Sequence, residues 1–320
     1  MCGAFGSRLW LKGCDGRLII PLQNLNQLCP RLVNRNVIGN LYRLIAGCVV
    51  LSFHITTAAC SENTTPPQLE AFTYPTTAGH CLAGSRSGVA GATDGRVSAE
   101  GIKYMVRTPS NYDATFTHPL LMVYAPAGMS RWASERLTGL TTEATRTGFV
   151  VVYADHKQLN LSTVEQLGMI PGQVAKEWCI DETRVYATGH SDGGTASLAL
   201  AVLDKTKTIP AAIAPSAAGW RGKDLEEFQC PAPIPVMIMH GKHDTLFPGW
   251  GAQTSAWWAT CHGCDVSKTK TKTLEGGCRV YQGCASGGAT VYCEGSGGHR
   301  DWPNLNRVML EFFAHPEKFL

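Results

Sequence analysis

Between residues 102 and 295 the chain alternates short apolar runs with stretches of helical periodicity, and that alternation narrows its fold more than any other feature. The runs are IKYMVRT (102–108), PLLMVYA (119–125), GFVVVYAD (148–155), RVYATG (184–189), AAIAPS (211–216), PVMIMHG (235–241) and ATVYCEG (289–295). Several are apolar throughout, not at every second position, which is the pattern of strands covered on both faces. Helical patterns lie near 131–147, 160–178, 193–205, 250–260 and 303–313. Strand and helix in alternation call for an α/β fold, with a mostly parallel central sheet between two layers of helices. No repeat and no break in composition marks a second domain, so 81–320 reads as a single domain. The KTKTKT run at 268–273 reads as a solvated hairpin or loop, not a binding patch.

The first 60 residues differ in character. They carry Arg8, Lys12, Arg17, Arg31, Arg35 and Arg43 against one acid, Asp15. The net charge of +3 therefore conceals a body, residues 61–320, with 22 basic and 24 acidic side chains. That body has no basic stripe with interleaved aromatics, so no nucleic-acid partner is expected. LIAGCVVLSF (44–53) is mostly apolar, follows Arg35 and Arg43, and leads to the small residues of TTAAC (56–60). It is too short for a transmembrane anchor, which needs about 20 residues. It reads as a secretory signal. Residues 1–59 are then an N-terminal extension plus signal, and 60–80 an irregular tether rich in Ser, Thr and Pro. Cys60 offers a second outcome, a lipid anchor, although Thr57 stands where such signals usually carry Leu. The expected location is secreted or periplasmic, with lipid anchoring as the alternative.

Of 13 cysteines, eight lie in the body: Cys81, Cys179, Cys230, Cys261, Cys264, Cys278, Cys284 and Cys293. An even set in an exported chain predicts up to four disulfides, and spacing leaves the connectivity open. A zinc site at the CxxC of 261–264 is the weaker reading in that compartment.

The sharpest chemical signal is GHSDG at 189–193. RVYAT leads in as a strand and GGTASLALAVL leads out as a helix. A tight strand-to-helix turn lifts one hydroxyl clear of the sheet edge, with helix amides beneath it that favour negative charge. Ser191 is therefore the expected nucleophile. A serine needs a base, and the base an orienting acid, in the chain order Ser, acid, His. His299, in the Gly-rich loop SGGHRDWP, is the expected base. Asp244 follows the apolar run PVMIMHG and is the expected acid, at the carboxyl edge where open α/β sheets keep their sites. The amide of Asp192 and one from Ala127 or Gly128 are the expected oxyanion donors, since Pro126 has no N–H. The Asp192 side chain either caps the turn or meets a polar substrate. Met129 is assigned with His190 to the substrate-binding surface, although Met129 reads equally well as core. Trp220, Trp257 and Trp258 are aromatic walls or core. No metal and no organic cofactor is expected.

PLLMVYAPAG, TTEATRTGFVVVYAD, DETRVYATGHSDGG, PVMIMHGKHDTLFP and YQGCASGGATVYCEGSGGHRDWP together resemble the secreted polyhydroxybutyrate depolymerase and feruloyl esterase group of α/β-hydrolases, which includes acetylxylan-type esterases. The resemblance covers about residues 80–315. It implies Ser191, Asp244 and His299 as catalytic triad, a disulfide between Cys264 and Cys284, and a site-lining or bracing Trp302. It also implies a carboxylic ester as substrate, either a polyester oligomer or a plant cell-wall ester. A monomer is expected. Relatives often carry His-Gly in the oxyanion loop, where this chain has Ala127 and Gly128.

Overall fold

The computed structural model describes residues 8–13, 16–21, 73, 79–274 and 277–320, with 8–21 and 267–274 described by backbone alone. The signal at 44–53, Cys60 and most of the tether lie outside the described residues. Two units divide the chain, Met1–Thr65 and Pro66–Leu320. In the first, β1 (Arg8–Gly13) and β2 (Gly16–Pro21) pair antiparallel, with Gly13 opposite Gly16. The sequence shows no clear periodicity there, and a two-stranded ladder can form without an apolar face to mark it.

The second unit is built on a ten-stranded mixed sheet. Its strands are β3 (Ala92–Val97), β4 (Lys103–Arg107), β5 (His118–Tyr124), β6 (Val150–Ala154), β7 (Ile180–His190), β8 (Ala212–Ser216), β9 (Val236–Gly241), β10 (Asp265–Leu274), β11 (Cys278–Gln282) and β12 (Thr290–Gly295). They lie in the order β10-β11-β12-β9-β8-β7-β5-β6-β4-β3. The run from β12 to β6 is parallel, and antiparallel strands finish both edges.

The helices are α1 (Arg131–Thr138), α2 (Leu140–Arg146), α3 (Leu161–Gly168), α4 (Ile170–Glu177), α5 (Asp192–Val202), α6 (Gly222–Leu225), α7 (Trp250–Cys261) and α8 (Asn306–Ala314). They cover both faces of the sheet, which explains the apolar strands. Leu120, Met122 and Tyr124 of β5 join one core, with Leu167, Val174, Leu198 and Trp258 of the helices. Leu121 and Val123 of the same strand join the other, with Leu140, Met309 and Phe312. Each strand residue thus meets a helix layer whichever way it points.

Two expected helices are each divided. The pattern at 131–147 breaks at Gly139, whose left-handed φ of 59° ends α1 and starts α2. The pattern at 160–178 breaks after Gly168, where Pro171 sits in the first turn of α4. Proline has no N–H for the preceding turn and so begins a helix more readily than it continues one. The strands that periodicity overlooks are β3, β10 and β11, all near the sheet edges. β3 is largely exposed and needs no apolar run. The KTKTKT run lies in β10, which forms a hairpin with β11.

Four disulfides join Cys81 to Cys179, Cys230 to Cys261, Cys264 to Cys284 and Cys278 to Cys293. Cys278 and Cys293 are direct partners across β11 and β12. Among the described residues no helix is long and apolar enough to cross a membrane.

Candidate active site

The parallel register brings the carboxyl ends of β5, β7, β8, β9 and β12 to one edge. Tyr124 lies opposite Gly189, His190 opposite Ser216, Ser216 opposite Met239, and His240 opposite Glu294. Loops leaving those ends are neighbours in space although far apart in sequence.

Ser191 occupies the turn between β7 and α5 with φ 55°, a backbone conformation that non-glycine residues rarely adopt. Its amide donates to the Ser216 carbonyl at 2.9 Å and holds it there. The flanking glycines are demanded by close approach. A Cβ on Gly189 would lie 2.6 Å from the Tyr124 carbonyl oxygen, and one on Gly194 would lie 2.5 Å from that of Ser216. A Cβ on Gly193 would overlap the Tyr124 oxygen outright. The turn therefore fits between β5 and β8 only with hydrogen at all three positions.

Asp244, His299 and Ser191 form one hydrogen-bonded row. Ser191 Oγ–H donates to His299 Nε2 at 2.9 Å, and His299 Nδ1–H donates to Asp244 Oδ2 at 2.8 Å. The Asp244 side chain is wholly buried. Its Oδ1 accepts from the amides of Leu246 and Phe247 at 2.9 and 2.8 Å. Burial pushes this carboxyl up, but the Phe247 amide, the His299 hydrogen bond and the nearby imidazoles outweigh it and hold it below its ordinary range. The loop carrying His299 is itself pinned. Gly298 N–H donates to Asp301 Oδ2 at 2.7 Å, and His243 N–H donates to the Gly297 carbonyl at 3.0 Å.

His190 does not belong to the substrate-binding surface as the sequence led one to expect. It is 3% exposed and both ring nitrogens are engaged. Nε2–H donates to the His299 carbonyl at 2.6 Å, and Nδ1 accepts from Ser216 Oγ at 3.1 Å. Burial lowers its pKa, in keeping with a neutral ring. Its place is to hold the backbone of His299. Trp302, half-buried, braces this region. Its Nε1–H donates to Asn306 Oδ1 at 2.8 Å, and its ring stands edge-on to His190. Met129, 39% exposed, is not core.

Ala127 and Gly128 form the middle of a turn closed by Met129 N–H donating to the Pro126 carbonyl at 3.0 Å, with Gly128 at φ 69°. Asp192 is the first residue of α5. Its side chain meets His156, whose Nε2–H donates to Asp192 Oδ2 at 3.0 Å.

His156 and Phe247 are the site residues that sequence reasoning passed over. Phe247 stands edge-on to the His299 ring, with centroids 4.8 Å apart, and stacks on Trp250, which Arg221 covers. Both residues follow parallel strands at the carboxyl edge, and that placement is the signal that could have flagged them. Of the tryptophans proposed as walls, Trp258 is wholly buried core, and Trp220 stacks on Phe228. Among the described residues no group of His, Cys, Asp and Glu has the arrangement of a metal site.

No family model matches the chain. Over 229 residues it is 25% identical to feruloyl esterase B of Piromyces equi, which covers 61% of this chain and 42% of that protein. The chain thus spans less than half the length of that relative. Among solved structures it is similar to the acetyl xylan esterase from Aspergillus awamori, with TM-score 0.53, 16% identity, and coverage of 71% of this chain and 99% of the other. It is also similar to a truncated carbohydrate esterase from gut microbiota, with TM-score 0.51, 11% identity and coverage of 74% and 99%. The chain has the α/β-hydrolase fold, and its sequence is similar to that of an esterase.

Proposed function

We propose that the chain is an exported serine hydrolase of carboxylic esters that works through an acyl-enzyme, with Ser191, His299 and Asp244 as its triad. The observation that carries this reading is the row of hydrogen bonds from Asp244 through His299 to a serine in the strained turn at the head of α5. His299 Nε2 takes the Ser191 proton as Oγ attacks the ester carbonyl. Asp244 keeps the other ring proton on Nδ1 and stabilises the imidazolium. The amides of Asp192 and of Ala127 or Gly128 hold the oxyanion. The imidazolium then protonates the leaving alcohol, and water repeats the sequence to free the acid. Four disulfides suit an oxidising compartment, which supports the export reading.

The similarity to feruloyl esterase B favours a hydroxycinnamoyl or related cell-wall ester as substrate. Hydroxybutyrate polyester is the rival that the motifs also admit. Side-by-side hydrolysis of methyl ferulate, acetylated xylan and hydroxybutyrate oligomers separates them. Methyl ferulate is expected to be cleaved fastest, and a clear preference for the oligomers would overturn that assignment. A fluorophosphonate is expected to label the wild type and not Ser191→Ala. Labelling that persists in the variant would remove Ser191 as nucleophile.

A further inference from the structure

We propose that His156 is a positioning residue that ties the two halves of the oxyanion hole to each other, a role that rests on the serine-esterase reading above. The two halves arise in different parts of the chain. One is the amide of Asp192 at the start of α5, and the other is the Pro126–Met129 turn that follows β5. His156, two residues beyond β6, touches both. Its backbone N–H donates to the Met129 carbonyl at 3.0 Å, and its Nε2–H donates to Asp192 Oδ2 at 3.0 Å.

The neighbouring residue secures the start of α1, two residues beyond the turn. Asp155 Oδ1 accepts from the Arg131 amide at 2.6 Å, and its two carboxylate oxygens take the Arg131 guanidinium at 3.1 and 3.0 Å. The Asp155 amide donates in turn to the Lys103 carbonyl at 2.9 Å, which fastens this dipeptide to β4. The donor turn is therefore held against the sheet by His156, with Asp155 holding Arg131 just beyond it, and the His156 side chain carries that hold across to Asp192 at the start of α5. Both partners of the bridge are partly shielded, at 17% and 36% side-chain exposure for His156 and Asp192. An oxyanion hole works because its donors are already placed before charge develops, so loosening one half against the other costs rate rather than substrate affinity.

The test compares wild type, His156→Ala, His156→Gln, Asp192→Ala and the double variant His156→Ala/Asp192→Ala. Readouts are kcat and KM on a chromogenic acetate ester, inhibition by phenylboronic acid, whose tetrahedral adduct on Ser191 places an oxygen in the hole, and melting temperature. His156→Ala is expected to lower kcat on the order of 10- to 100-fold, less than the loss of a donor outright. KM should hold, and boronate affinity should fall by the same factor as kcat. His156→Gln, which still offers Asp192 an N–H, should recover most of the rate. The double variant should be no worse than the worse single one, since both remove the same bridge.

Wild-type kcat in His156→Ala, a kcat loss without a boronate loss, a Gln variant as slow as Ala, or additive losses would each overturn the proposal. Should His156→Ala fail to fold, the Gln and Asp192 variants decide the matter by the same criteria. A wild type that neither cleaves the ester nor binds the boronate overturns the esterase reading and this proposal with it. A wild type that does both isolates the role of His156.

Discussion

Asp244→Asn probes the hydrogen-bonded row at its buried end. The two oxygens of Asp244 serve different donors: Oδ1 takes the Leu246 and Phe247 amides, and Oδ2 takes His299 Nδ1–H. Asparagine has one acceptor oxygen and one NH2. With the oxygen toward the two amides, NH2 faces His299 Nδ1. The imidazole must then accept at Nδ1 and carry its proton on Nε2, where it cannot take the proton of Ser191. With the side chain flipped, NH2 faces two N–H groups and leaves both without an acceptor. Each buried amide left unpaired costs about 1–3 kcal/mol, so the flipped form lies about 2 kcal/mol or more above the other. At 1.36 kcal/mol per decade, the useful tautomer is then outnumbered by about 30-fold or more. Loss of the charge that stabilises the imidazolium adds to this. A fall in kcat/KM of about 10⁴, or about 5 kcal/mol, is expected. The assay is steady-state hydrolysis of a chromogenic ester at pH 7 by disulfide-intact protein, with melting temperature as the check on folding. A folded variant that loses less than about tenfold would refute the argument, because a partner that sets the tautomer cannot be replaced so cheaply.

Removing the link between Cys81 and Cys179, which are 98 residues apart in sequence, by serine at both positions should destabilise the fold by about 5 kcal/mol on the chain-entropy account. Differential scanning calorimetry should then show a melting temperature lower by about 10–20 °C, and an unchanged value would refute that account. His262 supplies a dependence on acid. Burial lowers its pKa to about 4 from an ordinary 6.5, so the unfolded chain binds this proton more tightly than the folded one. Its contribution is complete above pH 6.5 and is lost as pH falls toward 4, by about 3 kcal/mol at most. In urea melts His262→Asn should flatten the wild-type loss of stability across that window, and identical slopes would count against the assignment.

Much of the fold was legible because burial leaves a periodic mark. Strands between two helix layers must be apolar on both faces, and the central strands β4 to β9 and β12 announce themselves that way. Edge strands such as β3 carry no such mark and went unseen. The interruptions at Gly139 and Pro171 are written in residue type, yet each falls inside a longer helical pattern that masks it. In the site, Ser191 was legible from the glycines around it, which answer a local demand for close approach. Asp244 and His299 were legible from their places after strands in the expected chain order. The burial of His190 was not legible, because its partners Ser216, His299 and Trp302 come from other parts of the chain.

The sequence by itself determined the layered α/β plan, the strand-turn-helix around Ser191, the order of the candidate triad and an even set of cysteines for pairing. Those features depend on neighbours in the chain or on simple burial. Apart from Cys264 and Cys284, whose pairing the resemblance implied, only the tertiary structure decided which cysteines join, where the ring nitrogens of His190 are spent, that Phe247 meets His299 edge-on, and that His156 spans from the Met129 carbonyl to Asp192. Each of these is a contact between segments distant in sequence, selected by strand order and register, and no local pattern of residues encodes such a meeting.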